Sequence, residues 1–350
     1  MSRTVAVVIP TLNEEARIGG LLAQVSRLPS SLVVDILVAD GRSTDRTRAL
    51  VAEAARADPR VRLIDNPALL QAAGVNRAVA LAHRHADTIV RIDAHALYPD
   101  DYVPRILTAF GETEADMVAT RLDTRGQTCL QRGIAAAQNS KMGSGGSAHR
   151  FGGYSGFVDH GHNAGMDRAM FAAVGGYDER FAANEDAELD LRIRRAGGRI
   201  WLAGGIEAVY FPRRTLGALW RQYRRYGEGR ARTFLKHGER LRIRQMLPPI
   251  VLVAIGAALV LSPALPWLLA VPALYAAALA VAAWVLFWRA RSWCTLAAAP
   301  ATAIMHLAWG WGFLACVLNR TERRRFGLPQ PERARRVSEG QPIILSGERR

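Results

Sequence analysis

The chain has 350 residues, 50% of them hydrophobic, and carries 46 Lys and Arg against 31 Asp and Glu, a net charge of +15. That length allows about two domains, and so basic a balance suits either an anionic lipid surface or a nucleic acid. Position separates the two. Eleven cations between residues 213 and 244 stand directly before a 43-residue block, 246–288, that has no charged side chain, and a second arginine-rich stretch, 320–336, follows the last apolar run. One helix crosses the hydrocarbon layer with roughly 20 residues, and cations flanking apolar spans are what membrane insertion selects. Membrane lipid is the expected partner, and nucleic acid is not.

The N-terminus has one basic residue and a very short apolar run leading into acidic residues, unlike a signal peptide. The head is therefore expected on the cytoplasmic side of an inner membrane. Apolar or β-branched runs at 5–9, 33–39, 61–64, 88–92 and 117–120 predict strands, and helical spacing at 16–28, 44–57 and 69–85 separates the first four. Strands alternating with helices predict an α/β fold whose parallel sheet is covered on both faces. Ligands of such sheets bind beyond the carboxyl ends of the strands. Pro10, Thr11, Asn13 and Glu14 stand there after the first strand, Asp40 after the second, and Asp93 and His95 after the fourth. Residues 143–153 are glycine-rich, either a mobile loop over that rim or a plain connector. Glu185 and Asp186 open a helix whose apolar face is Leu189, Ile193 and Ala196 and which Gly197 and Gly198 close. Residues 201–203 and 208–211 predict two further short strands.

The block 246–288 predicts a helical hairpin turning near 262–266, and 292–319 a third span. Three crossings would leave the arginine-rich tail on the far side, against the positive-inside rule. Either the last span is re-entrant or split, or the charge rule fails here. Cys129, Cys294 and Cys316 show no metal spacing and predict a reducing compartment without disulfides. The organisation expected is a head over 1–212, a basic amphipathic interfacial segment over 213–245, a membrane domain over 246–319 and a disordered tail over 320–350.

No glycine-rich dinucleotide or phosphate loop is present, so a diphosphate would be neutralised by a metal on rim carboxylates. In an extended segment residues i and i+2 share a side, which lets Asp93 and His95 reach one cation. Imidazole tilts that preference from Mg²⁺ toward Mn²⁺. His160 and His162 are read as loop or packing histidines, with a further metal ligand as the other possibility.

In order along the chain, PTLNEE (10–15), DGRSTDRT (40–47), RIDAHA (91–96) and NEDAELDLRIRRAGG (184–198) resemble the bacterial family-2 glycosyltransferases. These have a GT-A fold and are often followed by membrane helices. The resemblance covers about the first 230 residues. IDAHA, with VDHGHNAG before GGYDERF, is most similar to the succinoglycan-biosynthesis glucosyltransferase branch. It implies that Pro10, Thr11, Asn13 and Glu14 contact the uridine, that Asp40 hydrogen-bonds the uracil edge, and that Asn76 in QAAGVN belongs to the nucleotide pocket. It sets Asp93 and His95 at the D-x-D metal position, with His95 on the cation or on the diphosphate. Asp186 becomes the catalytic base and Glu185 its neighbour, tuning it or holding an arginine. QYRRY (222–226) looks like the family's Q-x-x-R-W element, giving Gln222 to an acceptor hydroxyl, Arg225 to diphosphate and Tyr226 to a sugar face. Without the resemblance, Glu14, Glu185 and Asp186 equally suit the first turn of a helix, and 222–226 an interfacial helix meeting headgroups.

The expected activity is inverting transfer of a hexose, glucose by the resemblance, from a UDP-sugar to a polyprenyl-diphosphate-linked saccharide in exopolysaccharide biosynthesis, with Mn²⁺ or Mg²⁺. The alternatives are a polyprenyl-phosphate glycosyltransferase, a processive polysaccharide synthase, and a membrane scaffold with a non-catalytic head.

Overall fold

A computed structural model describes residues 3–150 and 153–327; the tail beyond 327, expected to be disordered, lies outside the described residues. Strands β1 (Val5–Thr11), β2 (Val33–Asp40), β3 (Val61–Asp65) and β4 (Thr88–Arg91) lie parallel in the order β3-β2-β1-β4. They are joined by α1 (Ile18–Ser26), α2 (Thr47–Ala57) and α3 (Gln71–Leu81). Their near-continuous apolar character follows from burial on both faces. Val5, Val7 and Ile9 pack with Ile18, Leu22 and Val51 on one side, and Ala6 and Val8 with Val75 and Val79 on the other.

The second half of the head departs from the expected parallel sheet. It comprises β5 (Ala96–Leu97), α4 (Tyr102–Thr113), β6 (Met117–Thr124), α5 (Cys129–Gln138), α6 (Lys141–Ser144), β7 (Gly156–Val158), β8 (His162–Asp167), α7 (Arg168–Ala173), α8 (Glu185–Arg195) and β9 (Ile200–Tyr210). The sheet continues β4-β8-β6-β9-β5, and β8 runs antiparallel to both of its neighbours. With the sequence HNAGMD, β8 has no apolar run to mark it. The two short strands expected at 201–211 are one, β9, whose Gly204 passes so close to the Tyr154 carbonyl that any Cβ there would collide. The described part of 143–153 is not a bare connector: Ser140 caps α6, and Ala148–Arg150 form a 3-10 turn.

The remaining helices are α9 (Leu216–His237), α10 (Ile243–Leu261), α11 (Ala270–Ala290), α12 (Ala298–Leu318) and α13 (Arg320–Phe326). Among the described residues, three apolar helical segments are long enough to cross a membrane: Ile243–Leu261, Pro266–Ala290 and Trp293–Leu318. The first two form the expected hairpin. The third differs, with 44% of it buried inside the protein against 11% of each of the others. It runs alongside α9 for most of its length. Leu219 packs with Ala301 and Met305, and Ala231 with Phe313 and Cys316. Gly227 rests on the Trp309 carbonyl and Gly312 on that of Arg224, with no space for a side chain at either crossing. Beyond it, α13 returns to the head: Arg232 pairs with Glu322 at 2.7 Å, and Phe326 meets Phe181 edge-on at 5.3 Å. The tail expected to be disordered from 320 is thus helical through Phe326.

The expectation of no disulfide is also overturned. Cys129, opening α5, is bonded to Cys294, just ahead of α12, and Cys316 is the buried free thiol. The two partners stand 165 residues apart in sequence. Only the packing of α5 against the 293–297 turn, which no spacing pattern encodes, brings their Cα atoms to 4.9 Å.

Candidate active site

The rim at the carboxyl ends of β1 and β2 is one knitted unit. Asn13, in left-handed backbone (φ 57), accepts from the Thr44 amide at 2.8 Å and donates its own amide to the Ser43 hydroxyl. The Glu14 amide donates to Thr47 Oγ1 at 2.8 Å. Pro10 and Thr11 end β1 beside this junction. Asp40 is fully buried beneath it, accepting from the Ser43 amide and hydroxyl and from Arg48 at 2.9 Å. The uracil contact expected of Asp40 requires Ser43 or Arg48 to move aside, because all of these donors already occupy its carboxylate. Asn76 departs further. Its amide donates to the Tyr177 carbonyl and to Glu179, and its oxygen accepts from the Tyr177 amide. It latches the 175–179 turn onto α3 rather than facing a nucleotide.

The chemical centre lies where β4, β8 and α8 meet. Arg91, the last residue of β4, is buried with its side chain 3% exposed. Its guanidinium reaches Asp93 at 3.0 Å, Asp186 at 2.7 Å and Glu185 at 3.8 Å. Tyr177 donates to Asp186 Oδ1 at 3.0 Å, and Gln71 to Asp93 Oδ1 at 3.0 Å. Such a cluster survives out of water only because cation and carboxylates compensate one another. Burial alone would raise Asp93, yet Arg91 and the nearby histidines hold its carboxyl well below the ordinary range. Burial, with Asp186 alongside, pushes Glu185 up to about 7.

Glu185 therefore carries a proton in the folded state under conditions where the unfolded chain has lost it. A folded value above the ordinary one contributes stability that is complete below about pH 4.5 and is lost as pH rises through 7. Glu185→Gln is expected to flatten the decline in melting temperature between pH 5 and pH 8. Melting curves of parent and variant that run parallel across that window would refute the assignment.

His95, expected to share a cation with Asp93, turns away. Its Nδ1 lies 3.6 Å from Glu14 Oε1, and its ring meets Tyr210 edge-on. Residues 93–96 form a turn in which the Ala96 amide donates to the Asp93 carbonyl, so the same-side rule for extended chain does not apply. His162 takes the place expected of His95. Its Nε2 is 3.9 Å from Asp93 Oδ2, and its Nδ1 is 4.0 Å from Asp186 Oδ2. Burial keeps this imidazole neutral more strongly than the facing carboxylates can charge it. His160, by contrast, is held by Asp190 at 2.6 Å, as a packing histidine would be.

Asp93 and His162, whose Oδ2 and Nε2 stand 3.9 Å apart, are the residues that could hold a divalent cation. Among the described residues no three His, Cys, Asp or Glu side chains close a cage.

On α9, Gln222 is buried and its amide donates to the hydroxyls of Tyr210 and Tyr226 at 3.0 and 2.9 Å. That bonding fixes Tyr226 in place, while Gln222 Oε1 is buried with no partner among the described residues. Arg225 lies exposed on α9. Behind the larger effects of Asp93, Glu14, Asp186 and Arg91, the positive charge of Arg213 also acts on His95 and that of Arg150 on His162. Arg91, Gln71, Tyr177, Arg150 and Arg213 are the residues that sequence reasoning passed over. Arg91 alone carried a visible signal, as the one charge inside the apolar run TIVRI.

A mixed sheet that ends in two acidic clusters, with the second on a helix start facing the first, defines a GT-A transferase. A family model for glycosyl transferase family 2 matches residues 6–175. Over 310 residues, 88% of this chain and 93% of the relative, the chain is 44% identical to the succinoglycan biosynthesis protein ExoA of Rhizobium meliloti (strain 1021). Over 98 residues, 28% of this chain and 30% of the relative, it is 34% identical to a glucosyl-3-phosphoglycerate synthase of Mycobacterium tuberculosis. Among solved structures, the fold resembles a mannosyltransferase, PcManGT from Pyrobaculum calidifontis in complex with GDP-Man and Mn²⁺, at a TM-score of 0.58 and 20% identity over 88% of both chains. The chain belongs to the family-2 glycosyltransferases and is an enzyme of that class.

Proposed function

We propose that this transferase moves a hexose, glucose in the first instance, from a UDP-sugar onto a saccharide borne by polyprenyl diphosphate, with inversion, during assembly of an exopolysaccharide. The observation that carries the reading is the aim of Asp186. Arg91 and Tyr177 hold Oδ1, which turns Oδ2 toward the Asp93–His162 gap where the donor's diphosphate would lie. Held there, Asp186 takes the proton from the acceptor hydroxyl while that oxygen attacks the anomeric carbon opposite the leaving diphosphate. Asp93 and His162 would hold a divalent cation, which when bound stabilises the departing charge. Arg150 and Arg213 would add positive charge at the same place. The exopolysaccharide and the choice of glucose rest on the succinoglycan relative, and the lipid carrier rests on the apolar hairpin beside the site.

The test is transfer from a panel of radiolabelled UDP-sugars into membrane lipid extract. Incorporation is expected from UDP-glucose, to be lost in excess EDTA and restored by Mn²⁺. Full activity in EDTA would remove the cation, and equal transfer to a soluble acceptor would remove the carrier.

The disposition we propose in the inner membrane is supported by the packing. The 243–290 hairpin supplies two crossings. The third apolar helix lies along α9; its start is tied to the head through Cys129–Cys294, and α13, which follows it, reaches Phe181 through Phe326. A fluorescent protein fused after residue 350 is expected to mature and glow on the cytoplasmic side, and a periplasmic phosphatase fused there to stay inactive. The opposite pair of results would establish a third crossing.

A further inference from the structure

A cavity of about 630 Å³ lies apart from Asp93 and Asp186, between the 146–149 turn, β7 and the start of α10. Arg242 and Arg244 line it, and Asp159, paired with Arg242, is the acid among its lining residues. Among the described residues, Arg244 donates to the Gly145 carbonyl, at 3.4 Å. His149 forms another wall, with its Nδ1 buried and without a hydrogen-bond partner among the described residues. Tyr154 and Phe157 complete the rim and are 49% and 47% exposed. Between the two arginines sits Ile243, 79% exposed, which opens the first apolar helix.

Two guanidiniums, an unsatisfied imidazole nitrogen and exposed aromatic rings at the foot of a membrane helix combine two chemistries. Paired arginines bind phosphate oxygens through forked, charge-assisted hydrogen bonds. The aromatic rim and adjoining apolar helix suit a hydrocarbon chain leaving the phosphate, which a soluble phosphate would not use. The far wall is His160, bonded to Asp190 one helical turn after Asp186 on α8. The cavity therefore opens against the helix that carries the base. We propose that it binds the phosphate end of a membrane-borne prenyl carrier, so that the attached sugar reaches Asp186. This deepens the lipid-borne acceptor proposed above and rests on it.

The test uses the full chain in detergent, with farnesyl diphosphate and inorganic diphosphate as probes and UDP binding as the control. Farnesyl diphosphate is expected to bind at least about tenfold more tightly than inorganic diphosphate. Arg244→Gln should weaken it by about tenfold or more, whereas Asp159→Asn, removing the competing carboxylate, should strengthen it. UDP binding should hold in both variants. Equal binding of the two diphosphates would make this a free-phosphate site and overturn the lipid assignment, as would unchanged binding in Arg244→Gln. If Arg244→Gln fails to fold, Asp159→Asn decides: tighter binding supports the site, and no change overturns it. Loss of prenyl binding in Arg244→Gln from an enzyme that glycosylates no carrier would count against the proposed reaction and not the site. Sugar transfer with prenyl binding insensitive to both substitutions would do the reverse.

Discussion

Asp186→Asn is expected to lower the turnover number by about 10²- to 10⁴-fold, the usual contribution of a general base, with little change in the KM for the UDP-sugar. The substitution is nearly isosteric. Tyr177 can still donate to the remaining amide oxygen, and Arg91 keeps Asp93 and Glu185 as partners. What disappears is the carboxylate that accepts the hydroxyl proton, a requirement of the transition state and not of donor binding, and such a change falls on the turnover number. Steady-state UDP release with saturating acceptor reads the effect directly. A loss smaller than about tenfold would mean that another group removes the proton.

Arg91→Met is expected to cost about 3–5 kcal/mol of stability, the range for removing one partner of a buried charge cluster, and to abolish transfer. Three carboxyl groups, Asp93, Glu185 and Asp186, face this one guanidinium. Without it they either remain charged next to one another or take up protons. The effect has a sign in pH. Asp93 lies below its ordinary value in the folded chain, so its contribution is present above about pH 4 and is lost as pH falls through the folded value. Removing Arg91 erases that depression, and acid unfolding should begin at a higher pH. Arg91→Lys should recover part of the stability but not the forked contacts that aim Asp186. Chemical denaturation in detergent at pH 5 and pH 7 measures both variants; stability within about 1 kcal/mol of the parent would dismiss Arg91 as the cluster's counter-charge.

The reading of the sequence succeeded where one physical signal dominates. Buried parallel strands show as unbroken apolar runs, so β1 to β4 were legible to within a few residues. The 184–198 motif likewise put Asp186 at the start of a helix, where it is found. Elsewhere, contacts distant in sequence decide. β8 has no apolar run because its glycine and small residues lie under α4. Asn76 reads as a pocket residue in the sequence, but the 175–179 turn, about a hundred positions later, takes up its amide. The Asp93–His95 pairing assumed extended chain exactly where a turn intervenes, and His162, from an antiparallel strand the pattern could not reveal, stands in the vacated place. Cys129 and Cys294 meet for a similar reason.

The parallel seam between α9 and α12 bears on what can be separated from what. Ile134 of the head and Leu219 and Ala231 of α9 are buried in clusters shared with Ala298, Ala301, Met305 and Phe313. A fragment ending near residue 240 would uncover this greasy flank, so a water-soluble version of the enzyme cannot be made by simple truncation. The same interlock leaves the head without a hinge above the bilayer. In the membrane disposition proposed above, the reaction centre would ride at a constant height over the lipid, and a carrier would need only to drift laterally to meet it.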